Sequence, residues 1–237
     1  MKGVQQVLDR NGTILHNGKW NPRALLNILG TPKDGSWSGK TVLDIGANTG
    51  GLSLEIARQG AKVTIVEPDP LNRNIGITRD TVNGLARNEK LDIKIFSNTL
   101  FSCHELPQHD IILFLGLLYH FRYPQYCLDY ISHLKPKELF ISSQTYGSND
   151  LIMLNRKNKN LLPKNHLPKD IIMAGFHQTH SMLQMMLAAA GFEDITLLTD
   201  AEYNFPFKPA EKLTNTAYYH ATAAFSVNPE IEKDRFL

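Results

Sequence analysis

The segment Val42-Leu43-Asp44-Ile45-Gly46-Ala47-Asn48-Thr49-Gly50-Gly51 constrains this 237-residue chain more than any other. A short apolar run ends on an acid and a glycine, passes through a glycine-rich turn, and opens into a second apolar-periodic stretch. That order reads as strand, tight turn and helix. Gly46 and Gly50 lack a Cβ, so the backbone can turn sharply there and approach a ligand closely.

Strands and helices then alternate. Strands are expected over Thr41–Ile45, Lys62–Val66, Ile93–Phe96, Asp110–Leu115 and Leu139–Ser143, with Asp194–Thr199 and Ala217–Val227 as closing strands. Helices are expected over Thr49–Arg58, from Leu71 to about Leu85, over Gln125–Leu134, and from about His180 to Ala190, with Gly60 and Gly191 as stops. Asp110–Leu115 is apolar on both faces, as the centre of a parallel sheet requires. The order predicts an α/β fold, a Rossmann-like doubly wound seven-stranded sheet, mostly parallel with an antiparallel last strand.

Residues 1–40 are expected to form an N-terminal cap segment. Its first 21 residues are polar and aperiodic, with turn signals at Asn11-Gly12 and Asn17-Gly18. Pro22 to Leu29 reads as a short helix with a first-turn proline, ended by Gly30. Residues 41–237 then form the main domain, with a lid or substrate insertion at about 145–180.

The 25 basic and 23 acidic residues leave a net charge of +2, which favours neither nucleic acid nor membrane as a general partner. Cys103 and Cys127 make no disulfide framework and are expected as reduced thiols in a cytoplasmic protein. Met1 to Arg10 lacks the apolar core of a signal peptide. The longest apolar run, Ile111 to Leu118, is far short of a membrane span.

Asp44 ends the first strand of the domain, where its carboxylate can accept hydrogen bonds from an ammonium group. Glu67 ends the second, 21 residues after Gly46, well placed to receive both hydroxyls of a ribose. Nicotinamide and S-adenosylmethionine sites share that geometry. A dinucleotide site wants G-x-G-x-x-G, whose second glycine gives the pyrophosphate room. Asn48 stands at that position, and a dinucleotide has no positive amino-acid tail for Asp44 to hold. The pattern D-x-G-x-N-x-G therefore suits the zwitterionic methionine portion of S-adenosylmethionine. The bland alternative is that Asp44 caps the following helix and the glycines serve only a tight turn.

On these residues the chain resembles the class I S-adenosylmethionine-dependent methyltransferases, from Lys19 onward. The resemblance implies that Asp44, Gly46, Asn48 and Gly50 line the methionine portion, that Glu67 binds ribose, and that Pro68 packs on adenine. It also implies that the loop after the third strand, with Asn98, Thr99 and Leu100, meets the adenine edge. That loop usually carries an acid, and here offers Asn98.

Leu115-Gly116-Leu117-Leu118-Tyr119-His120-Phe121-Arg122-Tyr123-Pro124 lies at the carboxyl edge of the fourth strand, where doubly wound folds bind ligands. Its G-x-L-Y-H-x-R-x-P pattern is similar to the catalytic core of the tRNA wobble-uridine methyltransferases that form carboxymethoxyuridine. Lys19-Trp20 and the stretch Ala190 to Ile195 are similar too. The resemblance implies that Trp20, Leu115 and Gly116 also belong to the cofactor site. That family carries a long N-terminal domain not found in this sequence, and holds its carboxylated cofactor partly with basic residues that have no evident match here. Ordinary S-adenosylmethionine is therefore the expected cofactor.

Methyl transfer is an in-line displacement at a sulfonium, promoted by holding nucleophile and methyl carbon in near-attack geometry. His120 has the titration range of a general base for a hydroxyl or protonated nitrogen acceptor. Tyr119 can orient acceptor or cofactor, and Arg122 can hold an anionic substrate group. Packing beneath the cofactor is the competing role for Tyr119 and His120, as surface exposure is for Arg122.

The insertion carries Arg156, Lys157, Lys159, Lys164 and Lys169, either a solvated loop or a phosphate- or carboxylate-binding one. His166, His177 and His180 have no acid or cysteine at a matching spacing, so no metal is expected. Met182, Met185 and Met186 read as a core face. The activity expected is methylation of a hydroxyl or nitrogen on a small metabolite. The rivals are a tRNA-uridine methyltransferase and a non-catalytic cofactor-binding protein. Oligomeric state stays open.

Overall fold

The computed structural model of the chain describes residues 3–67, 73–97, 99–146, 153–155, 176–201 and 214–223. It divides into two compact units, residues 1–113 and 114–237.

In the first unit, residues 3–20 belong to the stretch read from sequence as polar and aperiodic. They form four short strands, β1 (Gly3–Gln5), β2 (Val7–Leu8), β3 (Ile14–His16) and β4 (Gly18–Trp20). β1 pairs parallel with β4 and β2 antiparallel with β3. Each has three residues or fewer, too short for an alternating pattern to show in the sequence. Helix α1 covers Pro22–Leu29 as expected, with Pro22 in its first turn. The Asn21 side chain caps it, accepting from the backbone N–H groups of Arg23 and Ala24.

Then come β5 (Thr41–Ile45), α2 (Gly51–Arg58), β6 (Lys62–Val66), α3 (Arg73–Glu89), β7 (Ile93–Phe96) and β8 (Ile111–Leu115), whose last two residues belong to the second unit. β5 lies between β6 and β8, and β7 flanks β6, all parallel. The register sets Ile45 beside Val66 and Val66 beside Phe96, so these three strands end along one carboxyl edge. Val42, Leu43, Val63, Ile65, Ile111 and Ile112 from the strands are buried, as are Leu52, Leu54 and Ile56 of α2. α2 begins at Gly51 rather than Thr49, because Gly50 is left-handed and the Thr49 hydroxyl turns away to the Gln5 carbonyl oxygen.

α3 runs on to Glu89 rather than stopping near Leu85, and its last turn enters an ion-pair network. The Arg58 guanidinium reaches Glu55 at 2.7 Å and Glu89 at 2.6 Å, and donates to the Leu8 carbonyl oxygen at 3.1 Å. Arg10 joins Glu89 at 2.8 Å, and Arg23 joins Glu55 at 3.2 Å. Arg23 also donates to the carbonyl oxygens of Asp9 and Arg10. The N-terminal segment is thereby fastened to α2 and α3 around a buried centre of Arg58, Glu55 and Glu89, with Arg10 and Arg23 joining from the exposed side.

The second unit opens with a tight 3-10 turn at Leu118–His120, followed by α4 (Pro124–His133) and β9 (Glu138–Tyr146). β10 (Met153–Asn155), β11 (Phe176–Thr179), α5 (His180–Ala189), β12 (Phe192–Ala201) and β13 (Thr214–Ala223) follow. β13 is antiparallel to both β9 and β12, as expected of the last strand. β11 runs parallel to the end of β9, and β10 antiparallel to β11. These two additional strands fall within the expected insertion. Residues 156–175 of that segment, with its basic residues and His166, lie outside the described residues. Leu183, Met186 and Leu187 form the buried face of α5, while Met185 is exposed. The fold is α/β with parallel strands and an antiparallel last strand, the class the sequence predicts. Among the described residues no helix is long and apolar enough to cross a membrane.

Candidate active site

In the first unit the expected cofactor residues gather at the carboxyl edge of β5, β6 and β7. The turn after β5 holds three left-handed residues, Gly46 (φ 70°), Asn48 (φ 57°) and Gly50 (φ 72°). Asparagine is among the few side chains that tolerate this conformation, which accounts for Asn48 where a dinucleotide site has glycine. The Asn48 backbone N–H donates to Glu67 Oε2 at 2.9 Å, and the Gly46 N–H donates to the Val66 carbonyl oxygen at 2.7 Å. Both bonds lock the turn to the end of β6.

Asp44 is buried at 3% exposure, and Ser53 of α2 donates to its Oδ2 at 2.5 Å. Burial raises its pKa to about 7; the Ser53 hydrogen bond opposes the rise and the nearby Glu67 charge adds to it. Burial also raises the Glu67 pKa, against the Asn48 hydrogen bond. Two carboxylates are thus held beside a backbone turn, each with one hydrogen-bond partner among the described residues. A positively charged ligand group relieves the desolvation and repulsion that oppose their ionisation.

The other expected residues of this unit lie on separate elements or outside the described residues. Thr99 stands at the N-terminal end of a 3-10 helix, Leu100–Glu105, with Leu100 buried and Thr99 exposed. Pro68 and Asn98 lie outside the described residues. Trp20 ends β4, where its carbonyl oxygen accepts from the Gln6 N–H.

The sequence reading missed Gln5. Gly50, at the N-terminal boundary of α2, offers no capping side chain. Buried Gln5 supplies the bond instead, its Oε1 accepting from the Leu52 N–H at 3.1 Å. Gly51 is glycine for contact reasons, since a Cβ there would lie 2.0 Å from the Gln6 carbonyl oxygen. The consecutive glycines 50 and 51, at a helix start without a cap, were the available signal.

The second unit places Leu115, Gly116, Tyr119 and His120 together at the end of β8. Leu115 and Gly116 are partly buried, and the Gly116 N–H donates to Ser142 Oγ at 2.9 Å. Tyr119 is buried; its ring lies 4.3 Å from that of His120 and stacks at 6.0 Å on His177. His120 is partly exposed. Arg122 is exposed, its guanidinium 5.7 Å over the Tyr123 ring. His180 engages Thr145 Oγ1 at 3.2 Å and the Tyr219 hydroxyl at 2.5 Å. Among the described residues no group of three or more His, Cys, Asp or Glu is arranged to hold a metal ion.

No curated protein sequence matches the chain. Similar solved structures include the N-terminal domain of EvdMO1 with SAH bound, at TM-score 0.60 and 19% identity, covering 86% of this chain and 79% of that one. Magnesium protoporphyrin IX methyltransferase (ChlM) from Synechocystis PCC 6803 with bound SAM aligns at TM-score 0.55 and 14% identity, covering 86% and 78%. Haemonchus contortus phosphoethanolamine N-methyltransferase 2 aligns at TM-score 0.59 and 14% identity, covering 85% of this chain and 52% of that one. These likenesses are of fold. The sequence profile of a methyltransferase domain matches residues 19–197, well over half of the chain, and on that match the chain belongs to the methyltransferase domain family.

Proposed function

We propose that this methyltransferase moves the methyl group of S-adenosylmethionine to a hydroxyl or nitrogen of a small metabolite. The observation that carries the reading is the pair of carboxylates, Asp44 and Glu67, set around a turn of three left-handed residues. In it Asp44 receives the ammonium end of the methionine portion, Glu67 receives ribose, and the turn from Gly46 to Gly50 lies along the ligand between them. Trp20, Pro68, Asn98, Thr99, Leu100, Leu115 and Gly116 complete the cofactor site, and residues 1–40 act as its cap.

When bound, the cofactor supplies an electrophilic methyl on a sulfonium, which becomes a neutral thioether as the methyl leaves. His120 accepts the proton that the acceptor atom gives up, and Tyr119 holds the His120 ring in place. One neighbour supports a small acceptor: the Haemonchus contortus enzyme was solved in complex with phosphomonomethylethanolamine. Arg122 serves acceptors with an anionic group. Cytoplasmic residence belongs to the same reading and agrees with two free, buried cysteines.

Calorimetry with S-adenosylmethionine and S-adenosylhomocysteine is the test, with Asp44→Ala as control. Binding by the wild type and none by the variant supports the reading. No binding by the folded wild type overturns it.

One observation favours a second reading, a tRNA-uridine methyltransferase, ordinary or using the carboxylated cofactor. Tyr123, 62% exposed, lies under the Arg122 guanidinium, and Tyr126 three residues on is 50% exposed, aromatic surface suited to stacking bases. Methyl or carboxymethyl transfer to unfractionated tRNA, lost in Tyr123→Ala, selects it over the small metabolite.

A further inference from the structure

The carboxyl ends of β9 and β11 hold a run of polar side chains with almost no solvent exposure. Ser142, Ser143 and Thr145 of β9 and Gln178 of β11 are each 0% exposed, and Thr179 is 1% exposed. Such groups cost free energy to bury unless they are hydrogen-bonded. Most are bonded: Ser143 Oγ donates to Gln178 Oε1 at 3.3 Å, Ser142 Oγ accepts from the Gly116 N–H, and Thr145 Oγ1 meets His180.

Gln178 is bonded at one end only. Its Nε2 is buried and, among the described residues, has no hydrogen-bond partner. A buried amide donor without a partner is a standing penalty in the folded protein, and a native structure retains few. Among the described residues the cluster around it, Ser143, Thr145, His180 and Tyr219, offers hydroxyl and imidazole groups and contains no Lys, Arg, Asp or Glu. Tyr119, which packs on His120, also stacks on His177, the residue before Gln178. Successive strand residues face opposite sides of the sheet, so Gln178 points with Ser143 and Thr145 at the carboxyl ends of β9 and β11, not with the His177–Tyr119 stack.

We infer that Gln178 is an acceptor-recognition residue, its carboxamide N–H donating to a hydroxyl or carbonyl oxygen on an uncharged part of the acceptor. The inference rests on the methyltransferase reading above and deepens it. Neutral donors and hydroxyls select neutral, oxygen-bearing groups, because an anion in the same place lacks a compensating charge. The short His180–Tyr219 bond, with Thr145 on the other ring nitrogen, fixes the polar wall against which such a group is read.

The experiment compares wild type with Gln178→Met, and with Gln178→Asn, which keeps the amide but withdraws it by one methylene. Saturation-transfer NMR in the presence of S-adenosylhomocysteine uses D-fucose, methyl α-glucoside, catechol and benzamide as uncharged probes, with inorganic phosphate and phosphoethanolamine as charged ones. At least one uncharged probe is expected to bind the wild type and to bind each variant about tenfold more weakly. The Tm of Gln178→Met is expected to equal that of the wild type or exceed it by about 2–4 °C, since a buried unpaired donor has been removed. Equal binding to wild type and variants, binding of the charged probes alone, no probe binding, or a clear fall in Tm overturns the inference. Calorimetric S-adenosylhomocysteine binding is measured on the same samples: its loss in the wild type counts against the cofactor reading, its retention confines the failure to Gln178.

Discussion

Ser53 donates to the Asp44 carboxylate at 2.5 Å, tying the end of β5 to the helix that follows the glycine turn. One oxygen of Asp44 anchors that helix, and the proposed ammonium contact falls to the other. The Asp44 pKa is raised to about 7, chiefly by burial, from 3.8. A carboxyl group whose folded pKa lies above its unfolded one binds more protons in the folded state, so it lowers stability as pH rises from about 4 to about 7. Asp44→Asn is expected to remove that slope and to leave the protein as stable as wild type or more so at pH 8. The same variant is expected to lose cofactor binding. Tm against pH and calorimetry at pH 8 check both. Wild-type binding at pH 6 to 7 is also expected to release protons, measured as a dependence of binding heat on the buffer's ionisation enthalpy.

Glu67 accepts the Asn48 N–H through one oxygen. Glu67→Gln keeps an acceptor for that bond but loses the charge, and hydrogen bonds to charged groups are worth about 1.5–3 kcal/mol. S-Adenosylhomocysteine affinity is expected to fall roughly 10- to 100-fold with little change in Tm. Unchanged affinity removes Glu67 from the cofactor site.

Arg58 neutralises Glu55 and Glu89, and its side chain is 8% exposed. Arg58→Ala leaves Glu89 only Arg10 and Glu55 only Arg23, both more solvent-exposed partners, and is expected to cost about 2–3 kcal/mol, read by urea unfolding. The Arg58 hydrogen bond, with a further contribution from Arg10, holds the Glu89 pKa down to about 2 from 4.5. A folded pKa below the unfolded one adds stability above about pH 4.5 that is lost as pH falls toward 2. Glu89→Gln is expected to be less stable at pH 7 and to converge on wild type at low pH.

His120→Ala is expected to lower kcat by about 10²–10⁴ while leaving S-adenosylhomocysteine affinity unchanged. A parallel loss of affinity, or a fall in Tm with kcat preserved, assigns His120 to packing instead. Tyr119→Phe, which keeps the ring against His120 and His177, is expected to change kcat less than His120→Ala does.

Gly51→Ala drives a methyl to 2.0 Å from the Gln6 carbonyl oxygen. Backbone on both sides leaves little room to yield, so a loss of about 1–3 kcal/mol is expected. Gln5→Ala removes the side-chain acceptor that caps α2 at the Leu52 N–H, for about 1 kcal/mol. Urea unfolding of the two variants separates close approach from capping.

The sequence by itself determined the elements whose pattern is local. α1, β5, β6 and β7 lie where their patterns place them, because proline at a first turn, compact apolar strand runs and glycine stops act over a few residues. The D-x-G-x-N-x-G segment was legible for the same reason: its three left-handed positions are a property of the turn itself. What tertiary structure decided came from partners distant in the chain. The four strands of residues 3–20 exist because Gln5, 44 to 47 residues away, bonds the start of α2, and because Arg58 and Arg23 reach back to carbonyl oxygens of residues 8–10. α3 reaches Glu89, which two distant arginines hold, and ends where Lys90 turns left-handed. The buried polar group at Gln178 forms where β11 meets β9, 35 residues apart in sequence at Ser143, and no spacing along the chain announces it. Periodicity reports which face of a segment is apolar; it does not report which distant segment will supply the missing hydrogen bond or charge.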